Sequence, residues 1–325
     1  MRIVPGLLIS LAAVAAILLL ADWRGVGNAF RKTNLLLIEI AFPFYILSYA
    51  ARAMAWKKLL GEVPFRKVFL VMNAGYLINN VFPFRMGEFG RTVLLGRKLG
   101  FLRVFSTIMV ERAIDLIFAA VLLLGTLPFA LIGDTGKTRM TGLIAAGLVT
   151  GLLVVMAFIV RYPAVIRRFV HRLFGGKPRL VELFDKQFDA VLDGLATLRH
   201  PGKFAAVLGW MLVSWGLAVG VQYLFLKAIV PEARLVWAGF ALGFSALGVA
   251  VPSSPAYVGV YEGAIIAALS FFSVDSSQAL AYALIAHGMY IGVTGVFGAV
   301  CLMEEGQNLG NLYQQVMQLR KKTNH

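Results

Sequence analysis

Asn79-Asn80-Val81-Phe82-Pro83-Phe84-Arg85-Met86-Gly87-Glu88-Phe89-Gly90-Arg91 is the stretch on which the reading of this chain turns. It sets an amide pair, two arginines and a glutamate between long apolar runs. Pro83, Gly87 and Gly90 work against a continuous helix. Arg85, Glu88 and Arg91 recur every third residue, so any helical turn here gathers them on one face. Broken helices at membrane depth are tolerated only where protein or a wet cavity covers the backbone, and transporters use such breaks to bind polar groups. The stretch is therefore a candidate substrate site, with Asn80, Arg85, Glu88 and Arg91 as its polar side chains.

The rest of the chain says that this site lies in a membrane. Hydrophobic residues make up 59% of the sequence and charged residues 14%, with a mean hydropathy of +0.80, which describes a polytopic all-α membrane protein rather than a soluble globular one. Apolar runs at about 3 to 21, 35 to 54, 104 to 128, 141 to 160, 204 to 228 and 278 to 303 each approach the ~20 residues that a bilayer core requires, giving about six spanning helices. The first run closes without a small-residue cleavage pattern and reads as an uncleaved helix. Two more segments, about 66 to 82 and 236 to 272, are interrupted by Pro83 and by Pro252, Ser253, Ser254 and Pro255. They read as re-entrant hairpins or pairs of short helices. Cys301 is the single cysteine, so no internal disulfide or cysteine-built metal cluster forms. No metal site and no cofactor is expected.

The formal charge of +15 would suggest nucleic acid in a soluble protein. Here most Lys and Arg fall in connections between spans, where membrane topology and anionic head groups account for them, and no nucleic-acid partner is expected. The connection from about 161 to 203, the stretch from Arg85 to Arg103 and the tail with Arg320, Lys321 and Lys322 all read as cytoplasmic, which puts both termini there. Arg24, Arg31 and Lys32 fall outside in this topology and fit it least well. Inside the long connection, Val181, Phe184, Phe188, Val191, Leu192 and Leu195 follow helical spacing with acidic residues between them. This is an amphipathic helix, read either as an interfacial connector or as a partner-binding element.

Further chemistry sits in the spans. Glu111, Arg112 and Asp115 occupy the helix after the first break; at ~1.5 Å per residue Glu111 lies roughly 10 Å and Asp115 roughly 16 Å below Val104. They form either a salt bridge that locks helices together or the lining of a cavity. Tyr257 and Glu262 belong to the second break, and His287 follows in an apolar helix, as a hydrogen-bonded contact or a proton carrier. Arg52, near a helix end, reads as a snorkelling side chain. Pro83 stands four residues before Gly87 with Glu88 next, and Pro255 four before Gly259 with Glu262 close behind. Each break follows an apolar run and precedes a span, the pattern of a candidate inverted repeat.

Asn80, Pro83, Arg85, Gly87, Glu88 and Arg91, then Ser106, Glu111, Arg112 and Asp115, then Pro252, Pro255, Gly259 and Glu262 together resemble the transmembrane family of the lysylphosphatidylglycerol synthases, also called the flippase-like or UPF0104 family. The resemblance covers nearly the whole chain as one integral membrane domain. It implies a bacterial or archaeal inner-membrane protein that moves lipids between leaflets. The synthases of that family continue into a soluble aminoacyl-transferase domain, whereas this chain stops soon after its last predicted span, so a stand-alone form is expected.

The leading expectation is thus a lipid flippase and not an enzyme, with membrane lipids as partners: an anionic, aminoacylated or polyprenyl-linked cargo. Arg85 and Arg91 would hold the lipid phosphate by charge-assisted hydrogen bonds. Glu88, Glu111 and Asp115, with Arg112 beside them, would balance charge or bind a cationic head group. Tyr257 and Glu262 would supply the opposing half of the cavity, and His287 or a carboxylate could couple a proton. Two alternatives belong to other classes. One is a membrane-embedded transferase or hydrolase acting on a lipid phosphate with Glu88, Asp115 or His287 as acid or base. The other is a scaffold that assists a lipid-synthesis enzyme.

Overall fold

The computed structural model describes residues 14–19, 21–82, 85–130, 162–174, 181, 185, 201–249 and 254–315. All regular structure among them is helical. In chain order the helices are α1 (Trp23–Arg31), α2 (Leu35–Leu60), α3 (Phe65–Val81), α4 (Gly87–Leu99), α5 (Phe101–Ala130), α6 (Pro163–Phe174), α7 (Pro201–Ile229), α8 (Leu235–Gly248), α9 (Val260–Ser270) and α10 (Ser276–Glu304), with a short 3₁₀ turn at Pro255–Tyr257 before α9.

Among the described residues four helices, α2, α5, α7 and α10, are long and apolar enough to cross a membrane. They are the expected spans at 35 to 54, 104 to 128, 204 to 228 and 278 to 303, each extended by a few residues. The expected span at 141 to 160, most of the one at 3 to 21, Pro83, Pro252 and the amphipathic stretch apart from Val181 and Asp185 lie outside the described residues.

The two interrupted segments are hairpins of short helices. The first is α3 and α4, and the second is α8 and α9. At 1.5 Å per residue, none of these four helices reaches the ~30 Å of a hydrocarbon core. A spanning helix precedes and follows each hairpin, so the order α2, (α3–α4), α5 is repeated as α7, (α8–α9), α10.

The halves also pack alike. The long helices α2 and α7 lie against each other; α3 packs on α10 as α8 packs on α5; and each hairpin folds on itself and on the span that follows it. The pairs run antiparallel. Asn34 N–H at the start of α2 donates to Ala228 O at the end of α7 (2.8 Å), and Ser214 Oγ–H, further back on α7, donates to Ser48 O on α2 (3.0 Å). The start of α3 meets the end of α10 through the ion pairs Arg66–Glu304 and Lys67–Glu305. Two antiparallel copies of one unit make the inverted repeat that the proline and glycine spacing suggested.

Hairpin α3–α4 opens at the end that carries Lys57, Lys58, Arg66, Lys67, Arg97, Lys98 and Arg103, where Arg103 donates to Leu60 O (3.1 Å). Hairpin α8–α9 opens at the other end. The packed interior divides in the same way, with one cluster around Trp56, Met72 and Ile108 and another around Phe225, Phe240, Ile265 and Tyr282. Small residues let backbones touch where the halves cross: a methyl group at Gly243 of α8 would come within 2.8 Å of Leu123 N, and one at Gly298 of α10 within 2.9 Å of Asn73 O. Membrane helices use such positions to approach closely.

Two expectations need correction. The stretch from Arg85 to Arg103 is not a cytoplasmic connection over most of its length, because Gly87, Glu88 and residues 90–96 of α4 are buried in the bundle. The charges inside that buried part, Glu88 and Arg91, are paired with Arg112 and Glu111 of α5. Arg52 does not snorkel. It lies two turns inside α2 and pairs with Asp115. Arg24, Arg31 and Lys32 belong to or flank α1. That short amphipathic helix buries Val26 and Ala29 and abuts the start of α10, where a methyl at Gly25 would meet Ser277 Oγ at 2.6 Å.

Candidate functional site

Both hairpins break in the middle of the bundle and do so with the same local device. At the first break Gly87 opens α4, and its N–H donates to Asn79 Oδ1 (2.7 Å). At the second, Gly259 opens α9, and its N–H donates to Glu262 Oε2 (2.7 Å). Glycine is required at both for different reasons. A methyl at Gly87 would stand 1.9 Å from Gly75 O, so the two arms of the hairpin touch only because no side chain intervenes. Gly259 has φ +84, a conformation that L side chains rarely adopt.

Arg85 stands two residues before Gly87, and Tyr257 two before Gly259. The structure brings them together: Arg85 Nε–H donates to Tyr257 Oη (3.3 Å), and the guanidinium lies over the phenol ring at 5.8 Å. Both residues are only partly buried. Ala256, Tyr257 and Arg85 all have positive φ, of 53°, 61° and 53°. Left-handed non-glycine residues cost energy and persist where their surroundings over-determine them.

Behind Arg85 the remaining charges are matched. Arg91 and Glu111 form an ion pair with side chains 1% exposed, and the Arg91 guanidinium lies 3.7 Å above the Trp56 ring. Asp115 accepts two hydrogen bonds from Arg52 Nη1 (2.5 and 2.6 Å) and one from Trp215 Nε1–H (3.2 Å). Arg112 bridges Asp115 and Glu88 at 3.4 Å each, as the three-residue spacing to Asp115 predicted, and lies over Tyr76. The side chains of Arg112, Arg52 and Asp115 keep 23%, 16% and 13% of their surface, in contrast to the sealed Arg91–Glu111 pair. One group of charges thus faces a gap between helices, and the other is packed away.

Asn80 Nδ2–H donates to Thr294 Oγ1 on α10 (2.9 Å). Its Oδ1, like Glu88 Oε2, is buried without a hydrogen-bond partner. The rings of Tyr45, Tyr49, Tyr76 and Tyr290 form a row, each within 6.2 Å of the next. His287 stacks on Tyr290 and tilts against Tyr261. It bonds Glu262 through Nδ1 and Ala256 O through Nε2 (2.7 Å).

The candidate residues therefore fall into three groups: Arg85 with Tyr257; Glu88, Arg91, Glu111, Arg112 and Asp115; and Glu262 with His287. Sequence reasoning missed the roles of Arg52, Trp56, Trp215, Tyr45, Tyr49 and Tyr76. Arg52 and Asp115 are 63 positions apart, and a tyrosine in an apolar helix carries no local mark of what it faces.

Glycosyltransferase AglD of Haloferax volcanii is 25% identical to this chain over 357 aligned residues, covering 98% of the chain. The chain spans 57% of the length of that relative. Its name is an enzyme's and overturns the expectation of a protein that is not one. No solved structure matches the chain significantly. With its helical hairpins, four helices among the described residues that are long and apolar enough to cross a membrane, and a profile match over residues 4–298, this multi-pass membrane protein belongs to the family described as the lysylphosphatidylglycerol synthase TM region.

Proposed function

We propose that the protein binds the phosphate of a lipid head group at Arg85, between its two broken hairpins, and carries that lipid between leaflets. One observation supports this most. Among the described residues, the central arginines Arg52, Arg91 and Arg112 each face a carboxylate, whereas Arg85 touches only the neutral hydroxyl of Tyr257. Four guanidiniums stand against Glu88, Glu111 and Asp115, which leaves one positive charge for a monoanionic phosphodiester. Arginine suits that partner because its donors match phosphate oxygens in pairs. The acyl chains stay in the bilayer while the head group occupies the gap. The inverted halves would rock to open the gap to each side in turn. The basic end of the bundle would face the cytoplasm.

The test is reconstitution of the purified protein in vesicles with labelled phosphatidylglycerol. Wild type should exchange the label between leaflets, and Arg85→Ala should lose at least tenfold in rate while remaining folded. Unchanged exchange in Arg85→Ala removes this reading.

The enzyme name of the relative favours a second reading of the same site, in which Arg85 holds a lipid phosphate for glycosyl transfer, with Glu88 as base. Chemical conversion of a polyprenyl phosphate by the purified protein, dependent on Glu88, would favour it over transport. A lipid-synthesis enzyme would be the natural partner in that case.

A further inference from the structure

We propose that Glu262 and His287 form a proton-holding clamp that positions Tyr257 against Arg85, so that anion binding at Arg85 is lost when the pair gives up one proton. The inference rests on the phosphate site proposed above and adds its control.

The loop from Ala256 to Gly259 carries three positive φ values, at Ala256, Tyr257 and Gly259. Left alone, such a loop relaxes. Three side chains hold it, one of them Ser254, whose Oγ–H donates to Val258 O (3.0 Å); the other two are Glu262 and His287. His287 Nε2 bonds Ala256 O, and Glu262 Oε2 accepts from Gly259 N–H, so the attachments flank Tyr257 on both sides. Glu262 and His287 also bond each other, through Oε1 and Nδ1. Both side chains are buried, at 6% and 7% exposure.

The protons can be counted. Ala256 O only accepts, so Nε2 must carry a hydrogen. The Nδ1–Oε1 contact needs one more, on either atom. All three bonds are therefore made with two protons on the pair. Remove one and either Nδ1 turns a lone pair to the carboxylate, or the remaining ring hydrogen moves to Nδ1 and Nε2 turns a lone pair to Ala256 O. In both cases a clamp bond is lost. Adding a proton instead places a hydroxyl on Oε2, opposite the Gly259 N–H, and opens the other attachment. The clamp closes in one protonation state.

The groups facing the pair do not titrate in its place. Tyr261 of α9, Tyr290 of α10, Tyr45 and Tyr49 of α2, Tyr76 of α3 and Tyr257 itself are phenols, α7 supplies Gln222, which accepts from Tyr282 (2.9 Å), and α8 carries no titratable side chain. Among the cations, Arg85 bonds Tyr257 and Arg112 lies over Tyr76. Phenols and guanidiniums keep one protonation state between pH 5 and 9.

The test is the affinity of the purified full chain, in detergent micelles, for fluorescently labelled phosphatidylglycerol, whose phosphodiester does not titrate in that range. Wild type should bind more weakly as pH rises from 6 to 9, by up to ~10-fold per unit above the midpoint for one linked proton. In Glu262→Gln the amide oxygen can accept from Gly259 N–H, its NH₂ can donate to Nδ1, and Nε2–H stays on Ala256 O. That variant should bind at all pH values as wild type does at pH 6. Glu262→Ala and His287→Ala should be weak throughout. A flat wild-type profile, or a wild-type profile in Glu262→Gln, overturns the clamp, and the Gln comparison decides alone if the alanine variants fail to fold. Arg85→Ala separates the two ideas. If it binds as wild type does, the phosphate site itself fails; if it loses binding while Glu262→Gln follows wild type, only the clamp fails.

Discussion

Arg85 and Tyr257 are 172 positions apart in the chain and occupy equivalent places in its two halves, each two residues before the glycine that opens a half-helix. They meet by hydrogen bond and ring contact, both in left-handed backbone. An inverted repeat brings equivalent positions face to face at its axis, and here it has put a guanidinium on one side and a phenol on the other. The phenol orients the cation without neutralising it. Tyr257→Phe removes the acceptor but keeps the ring. A hydrogen bond with a charged partner contributes about 1.5–3 kcal/mol, and this one is long at 3.3 Å, so phosphatidylglycerol exchange should fall about tenfold in Tyr257→Phe, a loss no larger than in Arg85→Ala, which removes the charge itself. Stopped-flow quenching of labelled vesicles compares the two.

Arg91 and Glu111 are expected to act in folding rather than at the gap. Their pair is sealed between α4, α5 and the Trp56 ring. Removing one partner of a buried pair leaves an uncompensated charge and costs about 3–5 kcal/mol, whereas an apolar replacement of both is often neutral. Arg91→Met and Glu111→Leu should each lower the thermal midpoint in detergent sharply, and the double variant should regain most of the loss. If the double variant is folded but inactive, Arg91 contacts the lipid after all.

Asp115 ties three helices through Arg52, Arg112 and Trp215. Asp115→Asn leaves two guanidiniums without a shared counter-charge, so it should destabilise by several kcal/mol. Arg52→Gln should cost less when Asp115 is already Asn than when it is not, because the interaction it removes is gone. A double-mutant cycle on thermal or denaturant unfolding reads this coupling, which contacting residues show and independent ones do not.

Much of this architecture was legible in the sequence, and for identifiable reasons. Hydropathy marked α2, α5, α7 and α10 because a bilayer demands unbroken apolar length. The spacing of Pro83 to Gly87 and of Pro255 to Gly259 marked both breaks and their relation, because each hairpin needs a glycine at its turn. Glu111, Arg112 and Asp115 were visible as charges too deep to be incidental. Their partners were not visible. Arg52 resembled any arginine near a helix end, and only the antiparallel packing of distant helices reveals that Asp115 waits for it. The burial of α4 was not visible because four of its residues are charged, and charge in sequence does not distinguish solvent from a matched interior. The bond from His287 to Ala256 O could not have been anticipated, since it depends on a backbone conformation with no side-chain signature.

Gly87 gives the most direct check on the first break. With Gly75 O only 1.9 Å from where a Cβ would stand, the neighbouring atom is backbone and cannot rotate away, so Gly87→Ala must push the arms of the α3–α4 hairpin apart. That movement would also break the bond from Gly87 N–H to Asn79 Oδ1 and shift Arg85, two residues upstream, away from Tyr257. Overpacking of this kind costs about 1–3 kcal/mol or more. Gly87→Ala should therefore lower the thermal midpoint and reduce lipid exchange together. Gly263→Ala, at a position with open space around it, should do neither. If Gly87→Ala retains wild-type stability and exchange, the hairpin arms are not in the contact described, and the geometry that places Arg85 opposite Tyr257 falls with it.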